Sequence, residues 1–358
     1  MSRTLTATDL EDIVNGACLF GAGGGGPISL GKTLADQIIQ RGDPVALAEP
    51  AEMTAADSCC VSAGVGSPDA AASGFPFDAA THAFDALGTF THVMPAELGA
   101  ANSILPMTVA ATKGIPILDA AGSYRAVPQI MQSTFAVRGA PIGTVVLANA
   151  DQQLYFEGKD PPTTDATMRA IISGGTFKED AGVALWAMDG TVAQSVSLAG
   201  TTERARSLGA ALRESDDPVD TVCSFLGGTV LIRGRIVSSA EQTGGGFDVG
   251  VLEITDLAET VRVVNQNENL VAWTSSSPQP AALAPDLIVT MTVDGQPFSN
   301  ADLDLAKGKE VVVITAPVDE SMRDPKMIAA FLPVLRSSGY GGPWVPVEEL
   351  AGARPSPA

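Results

Sequence analysis

The residues best placed to do chemistry sit just after strand-like apolar runs. Four such segments, Gly64–Asp69, Pro95–Asn102, Asp119–Arg125 and Asn149–Asp151, contribute Ser67, Asp69, Glu97, Asn102, Asp119, Ser123, Tyr124, Arg125, Asn149 and Asp151. Open α/β sheets bind ligands outside the carboxyl ends of their strands. Carboxylates beside one arginine and several amides suit acid–base work on a small polar molecule. Glu97 and Asp119 are the candidate general bases. Arg125 is the candidate partner of a substrate carboxylate or a developing oxyanion. Ser67, Asn102, Tyr124 and Asn149 are candidate substrate contacts.

A second chemical feature is the run Gly21-Ala22-Gly23-Gly24-Gly25-Gly26, with five glycines in six positions. A backbone without Cβ atoms reaches positive φ and lets a ligand touch its N–H groups. Gly26 to Thr33 also fits the G-x-x-x-x-G-K-[ST] pattern of a phosphate loop. That loop follows a strand, whereas Leu10, Ile13, Val14, Ala17 and Cys18 recur here at helical spacing. Pro27 also removes one N–H donor. An NTPase is therefore disfavoured, and Lys32 and Thr33 are ordinary helix residues. Gly23, Gly24, Gly25 and Gly26 are expected to form a bare wall of the cleft. The N-terminus of a helix over 28–40 could hold a carboxylate or carbonyl beside it. The string Asn265-Gln266-Asn267-Glu268-Asn269 ahead of Trp273 is either a turn or a face lining the cleft, the second being preferred.

Several classes are excluded or disfavoured by composition. The 358 residues carry a formal net charge of −20, which repels nucleic acid and anionic membrane. The N-terminus lacks an apolar signal segment, and no run of about 18 apolar residues exists to span a bilayer. The four cysteines, Cys18, Cys59, Cys60 and Cys223, include an adjacent pair that points to opposite faces of a strand. They make a poor disulfide framework, so a reducing cytoplasm is expected. Only His82 and His92 are present, which excludes a His-rich zinc site. His92 reads as a core residue and His82 as surface. No cofactor is predicted. A metal is left open, carboxylate coordination by Glu97, Asp119 and Asp151 being conceivable. The expected partners are a small-molecule substrate and further copies of the chain in a homo-oligomer.

The elements that must position these residues alternate in type. Thr8-Asp9-Leu10-Glu11 fits a capping box opening a helix over about 9–19. Strand-like segments at 45–47, 58–63, 90–94, 115–118, 143–148 and 184–188 alternate with helical ones at 28–40, 77–87, 98–113, 164–174 and 201–214. Pro106 would kink the helix at 98–113. The rhythm predicts a three-layer α/β domain over 1–216 with a mostly parallel open sheet. From 217 to 316, β-rich runs separated by turn signals predict a small β-barrel. Residues 317–350 are expected to pack back on the first domain, and 351–358 to form a loose tail.

Together these residues resemble the family of S-methyl thiohydantoin desulfurases, two-domain proteins associated with hydantoin utilisation. The resemblance rests on Leu10-Glu-Asp-Ile13, the run Gly21–Gly26, Pro95-Ala-Glu-Leu-Gly99 with Asn102, and Asp119-Ala-Ala-Gly122 with Arg125, Ala126 and Pro128. Thr134-Phe135, Gln266–Leu270, Pro285-Asp-Leu-Ile288 and Gly339-Tyr340 extend it along nearly the whole chain. It implies an α/β domain with a β-barrel domain. It also implies hydrolysis at a ring carbon of a hydantoin-like cyclic amide, with release of methanethiol. Asn102 and Glu268 would then orient the ring amides. The chain departs from the family pattern at Ala121 and Gln129, where acidic residues are usual, and at Tyr124, where glycine is usual. These departures leave two alternatives: a non-hydrolytic reaction on a related ring, or ligand binding without catalysis.

Overall fold

The computed structural model describes residues 3–72 and 75–352. Eight strands form the first sheet. Their spatial order is Arg3–Thr4, Ala46–Ala48, Ile117–Leu118, His92–Pro95, Ser58–Gly66, Asp180–Asp189, Thr144–Ala148 and Gln153–Glu157. The parallel pairings join only the second to fifth strands of that order. The remaining pairings are antiparallel. The expected mostly parallel sheet thus narrows to its N-terminal portion. The physical reason is connection length. Parallel neighbours need a helical crossover, while the short turn at 149–152 can only close an antiparallel hairpin. Its second strand, Gln153–Glu157, alternates exposed and half-buried residues and escaped the sequence reading.

Alternation along the strands builds a core on each face. Cys60, Val93 and Ile117 meet Ile13, Leu34, Ile38 and Val109 of helices Ala7–Phe20, Ile28–Arg41 and Leu105–Lys113. Cys59, Val61 and Leu118 meet Met168 and Ile172 of helix Pro161–Ile172 on the opposite face. The result is three layers, and all four thiols are free. Two local expectations are corrected. The capping box lies two residues earlier, with Asp9 N donating to Thr6 Oγ1 at 3.1 Å and Thr6 N to Asp9 Oδ2 at 2.9 Å. Pro106 does not kink a long helix but stands in the first turn of Leu105–Lys113, where its missing N–H costs no helical bond.

The second sheet is antiparallel and curled into a half-barrel. Its seven strands run Pro280–Leu283, Glu268–Thr274, Thr260–Gln266, Phe247–Thr255, Thr229–Gly244, Val311–Ala316 and Leu287–Thr292. The two short runs read at 229–232 and 235–238 belong to one 16-residue strand. Register shifts at Val230/Ile232 and Ile236/Ser238 bend it. Its first half pairs with Val311–Ala316 and its second with Phe247–Thr255. Helix Pro325–Ser337 packs Met327, Phe331 and Leu335 into a core shared by Phe20 and Leu208 of the first half and Leu270, Leu283 and Ile314 of the second. Helix Val347–Gly352 takes in the first two residues of the expected tail, whose remaining residues lie outside those described. Among the described residues, no helix is long and apolar enough to cross a membrane.

Two polar devices lock the sheets together. Arg125 is fully buried and spends its guanidinium on backbone carbonyls: Nε on Ala126, Nη1 on Pro285 and Asp286 at 3.0 and 2.9 Å, and Nη2 on Asn269 at 3.0 Å. Asp302, from the second half, caps helix Ile28–Arg41. Its Oδ2 accepts from Ile28 N at 2.7 Å and its Oδ1 from Ser29 Oγ at 2.7 Å. Removing Arg125 leaves several buried carbonyls without donors, each at a cost of about 1–3 kcal/mol. Arg125→Met is therefore expected to destabilise the fold by more than about 3 kcal/mol, read from denaturant midpoints. A change under about 1 kcal/mol would contradict this structural role.

Candidate active site

A cavity lies between the carboxyl ends of strands Ser58–Gly66 and His92–Pro95 and the first residues of strand Glu268–Thr274. Its polar walls include Ser67, Glu97, Asn102, Gln129, Arg169, Asp180, Trp186, Asn267 and Glu268, and Gly25, Gly26, Gly64 and Gly66 leave backbone bare. Leu30, Phe75, Leu105, Met168 and Leu185 supply apolar surface. This mixture of apolar wall and few convergent polar groups is typical of a small-molecule site.

Two glutamates from different halves of the chain dominate its chemistry. Glu97 follows strand His92–Pro95. Its Oε1 accepts from Asn102 Nδ2 at 2.7 Å and its Oε2 from Val127 N at 2.8 Å. Asn102 is itself fixed, because its Oδ1 accepts from Gly64 N at 2.8 Å. Glu268 opens its strand directly after Asn267, whose φ of +61° sets the turn. Glu268 Oε1 lies 3.4 Å from Gly25 N, and Oε2 has no hydrogen-bond partner. Burial pushes both carboxyls up, Glu97 to about 7 and Glu268 to about 8. Asn102, Val127 and the charges of Arg125 and Arg169 support the ionised form of Glu97. Glu268 is raised further by the neighbouring Glu97, with the two arginines opposing. Burial thus favours protonation of the pair toward neutral pH, the more strongly at Glu268, which also feels the charge of Glu97.

The glycine run explains how a glutamate fits here. A Cβ on Gly24 would stand 2.1 Å from Glu268 Oε1, and one on Gly25 would stand 2.4 Å from Gly99 Cα. Gly23 φ is +93° and Gly25 φ is +72°. Gly25 and Gly26 face the cavity; Gly23 packs instead against Asn269 and Asn300, and Gly24 against Glu268. The helix N-terminus beyond the run is filled by Asp302, so its carboxylate is internal to the chain.

Other candidates fall elsewhere. Asp119 does not line the cavity; its Oδ1 accepts from Glu203 N at 3.1 Å at the start of helix Thr201–Arg213, and burial raises it to about 6. Arg125 is occupied by the carbonyls named above. Tyr124 OH donates to Ala199 O at 2.5 Å, and Asn149 holds its own turn by accepting from Asp151 N at 2.9 Å and Gln152 N at 3.0 Å. Both half-buried histidines also lie off the cavity walls. Ser67 and Asn102 do reach it. Of the departures from the family pattern, Ala121 sits in a buried strand pairing with Leu198, while Gln129 lines the cavity with its Nε2 3.3 Å from Asp165 Oδ2.

Nothing in the sequence marks Arg169, Asp180 or Trp186 as site residues, whereas Asn267 belongs to the Asn-rich string expected to line the cleft. Arg169 lies in the helical segment read at 164–174. In the fold it is buried over the ring of Phe247 and donates to the carbonyls of Gly246 and Pro128. The hairpin at 244–247 covers it from a distant part of the chain, which no local pattern announces. For a metal, Glu97, Asp119 and Asp151 form no common group among the described residues. Carboxylate oxygens of Asp69, Glu241 and Asp248 do lie within 4.8 Å of one another. Asp248 is already engaged, by Ser67 Oγ at 2.7 Å, Asp69 N at 2.9 Å and Thr243 Oγ1 at 2.6 Å.

Comparison with known proteins agrees with this architecture. No curated protein matches the chain. An X-ray crystal structure of a protein from Chromobacterium violaceum superposes with a TM-score of 0.84 at 27% identity, covering 96% of this chain and 100% of that one. Residues 8–156 match the S-Me-THD-like N-terminal domain and residues 159–344 the S-Me-THD-like C-terminal domain. The boundary between the two matches precedes strand Asp180–Asp189, which nonetheless lies in the middle of the first sheet. With both matches in sequence and nearly the whole length covered, the chain belongs to the S-Me-THD-like family.

Proposed function

We propose that this protein is an enzyme that hydrolyses a small hydantoin-like ring at a ring carbon, with Glu97 as general base and Glu268 as general acid. The observation that carries the reading is the pair of buried glutamates in one cavity, with pKa values pushed up to about 7 and about 8. A base poised near the working pH and an acid still protonated there are what such a step requires. Family membership supports the ring class. Ionised Glu97 takes a proton from water as its oxygen adds to the ring carbon. Protonated Glu268 gives its proton to the departing atom, a thiolate sulfur in the simplest case. The pair then holds its one proton on the other carboxyl and is reset by exchange. Asn102 keeps the Glu97 carboxylate oriented, and the apolar wall excludes competing water. Asp119 and Arg125 have no part in this scheme.

Glu97→Gln and Glu268→Gln are each expected to lower kcat by about 10²–10⁴-fold on S-methyl thiohydantoins. Asp119→Asn should stay within about threefold, since its carboxyl caps a helix away from the cavity. Full turnover in Glu97→Gln, or binding without turnover in the unaltered protein, would contradict the proposal.

The pH profile of kcat/KM should be bell-shaped. It rises as Glu97 loses its proton near 7 and falls as Glu268 loses its proton near 8. A flat profile from pH 6 to 9 would overturn the assignment.

Stability follows from the same groups. Unfolded glutamate titrates near 4.5, while these two keep their protons to about 7 and about 8 in the folded chain. Between those values the folded state binds more protons, so stability falls as pH rises. Denaturant midpoints from pH 5 to 9 should show that decline, and Glu268→Gln should flatten it. An unchanged slope in the variant would contradict the buried acid.

A further inference from the structure

Strand Asp180–Asp189 carries an irregularity that serves no sheet bond. Val61 pairs with Leu185 and Cys59 with Met188, so Cys60 alone faces the two residues Trp186 and Ala187. This is a bulge, and Trp186 takes a φ of +50° within it. A bulky residue seldom adopts that conformation. The consequence is directional. In unbroken alternation Trp186 would share the face of Ala184, which packs in the core beneath helices Ile28–Arg41 and Leu105–Lys113. The bulge turns it to the opposite face, with Val183, Leu185 and Phe135. All three of Val183, Leu185 and Trp186 line the cavity.

The ring is seated firmly there. Trp186 is 1% exposed and lies 5.0 Å from Phe135, ring centre to ring centre. Yet its indole Nε1 has no acceptor. An indole N–H is a donor only, and buried donors are almost always paired. Among the described cavity residues, Arg169 Nε and Glu268 Oε2 are also without a hydrogen-bond partner. Strained backbone held in place at a cavity wall, with an unspent donor, is the signature of a group kept for a ligand.

We infer that the Trp186 indole N–H is a ligand-reading group of the cavity, donating to a carbonyl or thiocarbonyl acceptor on the ring, while the free edge of Glu268 meets a ring N–H or leaving atom. The inference rests on the proposed function for the class of ring. It adds that recognition requires an acceptor on the ligand, and that the bulge exists to aim the donor. An apolar ring of equal size would leave Trp186 N–H unpaired and be rejected.

The test uses hydantoin, the product expected when a thioether-bearing ring carbon is hydrolysed, so the ligand is not consumed. Calorimetric titration should give a Kd about five- to tenfold weaker for Trp186→Phe than for the unaltered protein, the loss of one hydrogen bond. Trp186→Phe also removes buried ring volume, so its thermal midpoint without ligand should fall, and the two affinities are compared at a temperature where the variant is folded. In the unaltered protein labelled with ¹⁵N-tryptophan, one of three indole resonances should move on titration. Trp273→Phe and Trp344→Phe identify it by exclusion even if Trp186→Phe folds poorly. Equal affinity in Trp186→Phe, or an unmoved Trp186 resonance while hydantoin binds, overturns this inference and leaves the proposed function standing. Failure of the unaltered protein to bind hydantoin at all overturns the proposed function, and this inference with it.

Discussion

The structure depends on one constraint: a carboxyl from the second half of the chain is buried against a backbone that has no room for side chains. Glu268 reaches the cavity only because Gly24 and its neighbours carry no Cβ. The residues flanking it are held as tightly. Asn269 N donates to Ala22 O at 2.8 Å, Asn300 N donates to Gly23 O at 2.8 Å, and Asn300 Nδ2 donates to Asn267 O at 2.9 Å. Packing of the two sheets, the turn at Asn267 and the acidity of Glu268 are thus aspects of one joint. Desolvation, with the charge of Glu97 beside it, favours the protonated form of this carboxyl.

That joint reassigns the arginines. A site with two glutamates invites the reading that nearby guanidiniums bind substrate. Arg125 and Arg169 instead satisfy carbonyls of segments that meet from opposite halves. Their charge still acts at a distance, lowering the carboxyls that burial raises. The positive field at the cavity is therefore built into the frame and does not need a mobile side chain.

Much of this was legible in the sequence where chemistry and period are local. Helical spacing ahead of the glycine run, with Pro27 behind it, separated it from a phosphate loop. Glu97 and Asn102 followed from a strand-end rule, and the Asn-rich string before Trp273 from its polarity. What was not legible was set by tertiary arrival. Asp119 obeys the same strand-end rule as Glu97, but helix Thr201–Arg213 starts above it and takes its carboxylate. Arg169 is buried by a hairpin about 77 residues further on, as its contact with Gly246 records. Trp186 lies in a strand that alternation alone would face the other way. A bulge changes the face of a residue without changing the hydrophobic pattern that predicts the strand. The departure at Ala121 also loses its force in the fold, since that position is a buried strand residue away from the cavity walls.

The central claim is that Glu97 and Glu268 share a proton near neutrality. ¹³C NMR of glutamate carboxyls in the labelled protein, followed from pH 4 to 10, tests it directly. The account predicts two resonances, identified by their loss in Glu97→Gln and Glu268→Gln, that titrate well above pH 6. It also predicts that the Glu268 resonance shifts to lower pH once Glu97 is neutralised, because the like charge is gone. Both carboxyls titrating near 4.5, each indifferent to the other's replacement, would contradict it.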